Sequence, residues 1–196
     1  MSSNKPVIIT LRGTYGSGKT TLARFIMDTH VNEEKHYQKG RTRPLYHTFD
    51  HPNGGNPLAV VGSYETVCGG CDTIGDNATI FETVDYLQSE GYNVLYESIM
   101  LTGNIGHTVR WFQTGWNLQV VYLDVPVPMA LASVNQRRRE KDPDAVDVNP
   151  KNLLGKAASC RSSYVTLQTH HVPVHLLDRA AAYTKCLELL EVDSVL

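Results

Sequence analysis

The stretch from Val7 to Met27, VIITLRGTYGSGKTTLARFIM, constrains this chain most, because an apolar β-branched run passes through a glycine-rich turn straight into a helical pattern. Gly13 to Thr20 match GxxxxGK[ST], the phosphate-binding P-loop. Gly13, Gly16 and Gly18 let backbone N–H groups turn inward without side-chain obstruction, and the following helix aims its positive N-terminus at the same point. The expected cradle for a triphosphate runs from Gly13 to Thr21 and includes Thr14, Tyr15 and Ser17. Within it Lys19 reaches the β- and γ-phosphates, and the Thr20 hydroxyl ligates Mg²⁺. The context argues against a chance match. Val7, Ile8, Ile9 and Leu11 suit a buried parallel strand, while Leu22, Phe25 and Ile26 recur at helical spacing. The glycine spacing alone could suit a dinucleotide fold, but the Lys19-Thr20 pair favours the P-loop.

A chain of 196 residues is long enough for one well-buried domain and short for two, so a single domain over 1–196 is expected. Its net charge of −2 gives no global basic surface, and any nucleic-acid contact must come from local patches. The N-terminal MSSNKP runs directly into the first strand, no apolar run approaches the length of a membrane span, and the chain reads as cytoplasmic. Cys68, Cys71, Cys160 and Cys186 are expected to be free thiols. Cys68 and Cys71 form a CxxC with His47 and His51 upstream, a weak zinc pattern without a second conventional half-site.

After the first helix, Lys35 to Arg43 (KHYQKGRTR) reads as a basic, turn-rich segment without an acidic residue. Strand-like runs at Leu45 to Phe49 and Leu58 to Tyr64 flank DHPNGGN, a strong hairpin signal. Cys68 to Ile80 is a glycine-rich loop feeding a helix whose face carries Ile80, Val84 and Leu87. Asn93 to Tyr96 is a short strand ending in Glu97-Ser98, and Leu118 to Leu123 another ending at Asp124, with a helix over Asn104 to Gln113 between them. Pro128 to Arg139 forms a helix with a cationic end, and Asn149-Pro150 opens the next. The polar connection between them, about 137–150, is organised like a lid; about 35–78 is the expected acceptor-binding insertion. A last strand, Val172 to Leu177, and a helix, Ala180 to Val192, close the chain. This alternation implies an α/β fold: a three-layer P-loop NTPase with a mostly parallel central sheet, helices on both faces and a lid. The functional edge is then where the strands end.

Phosphoryl transfer needs a phosphate cradle, Mg²⁺, cations around the transferring group and a base for the acceptor. Beside Lys19 and Thr20, Glu97 and Asp124 compete as the metal-side carboxylate, with Glu97 favoured. Arg137 or Arg138, with Arg161 on the next helix, could close over the triphosphate; three adjacent arginines cannot all face one site. Asp72 is the first candidate for general base and Asp50 the second, each weighed against an ordinary turn-capping role. Gly69 and Gly70 clear space beside Asp72, or serve a tight turn.

GTYGSGKTT, the NVLYES strand end, VVYLDVP and the Arg137 segment together resemble the small P-loop kinases of nucleosides, nucleotides and polynucleotides. The series YHTFDHPNGG, VVGSYETVCGGCDTI and VLYESIM is similar to the bacteriophage 5-hydroxymethyluracil DNA kinases. That resemblance implies ATP as donor, Mg²⁺ as metal and, as acceptor, a pyrimidine alcohol in DNA containing 5-hydroxymethyluracil. Lys35 to Arg43 and the turn at Asn53-Gly54-Gly55 would be the DNA contacts. The near-neutral charge keeps a small-molecule nucleoside, nucleotide or metabolite kinase as the alternative, with a nucleotide-gated switch or ATPase as the third.

Overall fold

A computed structural model describes residues 5–98 and 103–193. Ile99 and Met100, the end of the VLYESIM series, lie outside the described residues, as do residues 1–4 and 194–196. β1 (Val7–Arg12), buried along its whole length, is the hub of a seven-stranded sheet in the order β2-β3-β4-β5-β1-β6-β7. β5 (Asn93–Glu97) and β6 (Asn117–Leu123) pair in parallel on either side of β1. β4 (Leu58–Val61) and β7 (Val174–Leu177) extend the parallel array. A strand with neighbours on both sides and helices on both faces favours apolar residues on both faces, which Val7, Ile8, Ile9 and Leu11 supply.

α1 (Lys19–Met27) and α6 (Arg179–Leu190) cover one face, where Leu22, Ile26, Cys186 and Leu190 pack on Ile9, Leu11 and Leu95. α2 (Asn77–Ser89), α3 (Ile105–Gln113) and α5 (Pro150–Thr169) supply residues to the core on the other face, among them Val84, Trp111 and Leu167. α4 (Val127–Lys141) packs against α5 and leads into the short polar connection. Among the described residues no helix is long and apolar enough to cross a membrane.

Two departures from the sequence reading matter for function. Residues Val31–His36 form a strand, β2, where a loop was expected to begin at Lys35. VNEEKH lacks an apolar alternation because β2 is a sheet edge with nearly all its side chains in solvent, and charge on an edge discourages further pairing. β3 (Tyr46–Asp50) is antiparallel to both β2 and β4, since a short turn can join strands only as a hairpin. β2 therefore ends at the same sheet edge as β1, and the 37–45 turn rises at that edge on the far side of β3, β4 and β5. The Asn53-Gly54-Gly55 turn between β3 and β4 lies at the opposite edge, where Pro52 and Asn53 line the far end of the cleft that runs from the P-loop along α1.

Candidate active site

Gly13, Gly16 and Gly18 hold φ values of 149°, 70° and 100°, which L side chains rarely adopt. A Cβ on Gly16 would lie 2.3 Å from the Ala130 carbonyl oxygen, so glycine here permits α4 to pack against the loop. Gly18 ends the turn and α1 begins at Lys19, aiming the helix N-terminus into the loop. Lys19 is buried, and its Nζ donates to the carbonyls of Gly13 at 3.2 Å and Thr14 at 3.0 Å. Burial lowers its pKa, an effect opposed by the nearby carboxylates of Glu97 and Asp72.

The sheet register delivers the acid. Glu97 pairs with Leu11 across β5 and β1, so its carboxylate emerges beside the start of the P-loop. Thr20 Oγ1 donates to Glu97 Oε1 at 2.6 Å. Glu97 is 2% exposed, and desolvation raises its pKa against the opposing pull of Lys19 and the Thr20 hydrogen bond. Asp124, the competing carboxylate, is exposed just beyond the end of β6.

The 63–70 loop folds back through a bridge between Ser63 and Gly70. A Cβ on Gly70 would stand 2.6 Å from Glu97 Oε1, and one on Gly69 2.6 Å from the Ser63 carbonyl oxygen. The glycine pair thus serves the close approach of the chain to itself and to Glu97. It leads directly into a 3₁₀ turn, Cys71–Thr73, that presents Asp72 beside Lys19 and Glu97. Ser98 donates its hydroxyl to Asp72 Oδ1. Arg41 donates to the carbonyls of Thr73 at 3.1 Å and Ile74 at 3.2 Å, tying the basic 37–43 segment to the Asp72 turn.

Lys19, Thr20, Gly69, Asp72 and Glu97 line one cleft of about 1450 Å³, which runs from Tyr15 and Gly16 along the outer face of α1 to Pro52, Asn53 and Asp193. Arg137 lines it one helical turn after Ser133. Arg138, about 100° further round the helix, is exposed and outside the cleft, and Arg139 pairs with Asp147 at 2.5 Å. Arg161 is also outside. It follows the buried Cys160 on the solvent side of α5, with its guanidinium 5.6 Å from the centre of the Tyr164 ring.

Asp50 is a correction. It ends β3, whose antiparallel direction carries it to the sheet edge opposite Lys19, where it accepts a hydrogen bond from Asn32 at 2.8 Å. Asp50→Asn is expected to leave turnover at the wild-type level; a large loss in a steady-state assay would return Asp50 to the site. The CxxC and histidines also separate. Cys71 is buried with its thiol on the Val61 carbonyl, Cys68 is exposed, His47 bonds Glu33, and His51 bonds the Leu190 carbonyl. Among the described residues no group of three or more His, Cys, Asp or Glu side chains could hold a metal.

Sequence reading missed Arg24, Ser98 and Arg179. Arg24 anchors the carbonyls of Tyr64 and Thr66, holding the 63–70 loop over α1. Arg179 donates to the carbonyls of Ser17 and Gly16 inside the P-loop itself. Neither contact has a local signal, since the partners are about 40 and 160 residues apart along the chain.

No family model matches the chain. A 5-hmdU DNA kinase of Pseudomonas phage PaMx11 is 37% identical over 187 residues, spanning 95% of this chain and 98% of that protein. The chain belongs to the 5-hmdU DNA kinase family. A solved structure from the PezAT toxin–antitoxin system of Streptococcus pneumoniae has a TM-score of 0.56 at 14% identity, over 98% of this chain and 81% of its own, and shares the fold. A deoxyadenosine kinase from M. mycoides is a looser likeness, with a TM-score of 0.45 at 12% identity over 94% and 98% of the two chains. As a member of the 5-hmdU DNA kinase family the protein is a nucleotide-using phosphotransferase.

Proposed function

We propose that this kinase transfers the γ-phosphoryl group of ATP to the 5-hydroxymethyl oxygen of 5-hydroxymethyluracil in DNA. The observation that carries the reading is the 37% identity, along nearly the whole of both chains, to a phage protein named as a 5-hmdU DNA kinase. The site agrees with it. Lys19, Glu97 and Asp72 line one open cleft, so an acceptor alcohol and a triphosphate on the P-loop can meet there.

In this reading Asp72, oriented by Ser98, accepts the alcohol proton as the hydroxymethyl oxygen bonds to the γ-phosphorus. The bond from that phosphorus to the β,γ-bridging oxygen breaks, and ADP leaves with the electron pair. Lys19, with Arg137 across the cleft, offsets negative charge on the transferring group. Thr20 and Glu97 would hold Mg²⁺: their donors are all oxygen, as a hard divalent cation prefers, and the ionised form of buried Glu97 is favoured by a cation beside it. The bound ion supplies charge neutralisation on the β- and γ-phosphates. A base in duplex DNA reaches this site by leaving the stack, which costs a few kcal/mol. The phage source of the relative fits work in the host cytoplasm.

The 37–43 turn is the natural contact for the DNA backbone, because it rises at the active-site edge. Its cations divide by role. Lys35 pairs with Glu65 at 2.9 Å and Arg41 is turned onto the Asp72 segment, whereas Lys39 and Arg43 face solvent. Lys39→Ala with Arg43→Ala is expected to reduce the slope of log K against log salt by about 1–2. An unchanged slope in a binding titration moves the DNA contact elsewhere.

The reading itself is tested by incubating the protein with labelled ATP and either hydroxymethyluracil-containing DNA or the free nucleotide. Label in the DNA is the expected result. Label confined to the free nucleotide would establish the small-molecule alternative instead.

A further inference from the structure

The phosphate cradle is held from behind by a residue 160 positions away in the chain. β7 ends at Leu177, and Asp178 caps α6 by accepting a hydrogen bond from the Ala181 N–H at 2.8 Å. This fixes Arg179 as the first residue of α6, against the outside of the P-loop. Its Nε donates to the Ser17 carbonyl at 2.9 Å and one terminal nitrogen to the Gly16 carbonyl at 3.1 Å. A planar guanidinium presents its donors as a rigid fork, so one side chain satisfies two successive carbonyls without turning either peptide. A Cβ on Gly18 would lie 3.2 Å from that Nε, so the glycine serves the approach of Arg179 as well as its own φ of 100°.

In a trans peptide the carbonyl and the following N–H point in opposite directions. A Ser17 carbonyl held on Arg179 therefore turns the Gly18 N–H away from it, toward the inside of the loop. Were that peptide to flip, a carbonyl oxygen would face the anion in place of a donor. The brace also lies outside the α1 N-terminus, so its charge adds to the same positive field. Arg179 lines the cleft as well, within the part bounded by Gly16, Gly18 and Tyr183.

We propose that Arg179 is a positioning residue for the phosphoryl donor: it fixes the Gly16-Ser17-Gly18 peptides so that the Gly18 N–H is preset for the triphosphate. It acts through the backbone of the cradle and takes no proton or phosphoryl group. The inference rests on nucleotide use by the P-loop and not on which alcohol accepts, so ADP binding without acceptor tests it apart from the DNA reading.

Arg179→Ala is expected to raise KM for ATP, and Kd for ADP in calorimetry, by about 10- to 100-fold, with kcat within about threefold of wild type. Arg179→Lys keeps the charge but loses the fork, and is expected to fall between the two. Free guanidinium added at millimolar concentration should restore part of the ADP affinity of the alanine variant and none to wild type. A general loss of structure would not give that rescue. If the alanine variant fails to fold, Arg179→Lys carries the test through its ADP affinity at an unchanged melting temperature. ADP affinity at the wild-type level in either folded variant, or a fall in kcat with KM for ATP unchanged, overturns the proposal.

Discussion

Lys19→Met is expected to reduce phosphoryl transfer by about 10³-fold or more, roughly 4 kcal/mol of transition-state stabilisation, while the protein stays folded. Methionine approximates the length of lysine and fills its buried position, but it cannot neutralise the charge that gathers on the β- and γ-phosphates. Stability follows from the two opposed pKa shifts. Burial lowers the Lys19 pKa, so in the folded protein holding its charge costs free energy that methionine does not. Glu97, already raised by burial, loses the ammonium that stabilises its ionised form and rises further. A carboxyl whose folded pKa lies above its unfolded value contributes stability at low pH that is lost as pH rises through the folded value. The variant should therefore melt within a few degrees of wild type in mild acid. From the ordinary glutamate value upward its melting temperature should fall with pH more steeply than that of wild type. Appreciable turnover by the folded variant would mean that the P-loop lysine does not serve transfer.

Asp72→Asn comes next, with an expected loss of about 10²–10⁴ in kcat and KM for ATP unchanged. Asparagine retains the shape and can still accept the Ser98 hydroxyl, but it cannot take a proton. Asp72 belongs to a turn outside the P-loop, braced by Arg41 and hydrogen-bonded to Ser98, so donor binding is expected to change little although its charge reaches Lys19. Steady-state kinetics with ATP and acceptor varied separately reads the two constants. A raised KM for ATP with kcat intact would place Asp72 in donor binding and leave the base to be sought elsewhere.

The parts legible in the sequence were those whose signal is local. The P-loop is a contiguous motif, and strand-helix periodicity marked β1, β5 and β6 together with α1, α2 and the closing α6. Glu97 and Asp124 both end apolar strands beside β1; the proline-containing turn after Asp124 favoured Glu97, and Glu97 is the one that accepts the Thr20 hydroxyl. β2 was hidden because an edge strand need not alternate: VNEEKH has no buried face to declare it. Asp50 misled because a strand end looks alike in sequence whichever way the strand runs, and its antiparallel course moved it to the far edge. Arg24 and Arg179 were silent for a different reason. Each holds backbone carbonyls of a segment brought near by the fold, and a carbonyl acceptor leaves no residue type to recognise. The glycine pair at Gly69 and Gly70 was legible as clearance, but the object cleared for was Glu97 of the same chain.

The proposed site of phosphorylation is a hydroxymethyl group on a base within DNA. Label in DNA alone does not decide it, since a polynucleotide kinase would label a 5′ end. The direct measurement is mass spectrometry of nucleosides released from hydroxymethyluracil-containing DNA after incubation with the kinase and ATP, with terminal phosphates removed enzymatically beforehand. Hydroxymethyldeoxyuridine carrying one added phosphoryl group on its base is the expected product. Unmodified hydroxymethyldeoxyuridine throughout, with ATP consumed only when a free nucleoside or nucleotide is supplied, would contradict the proposed site.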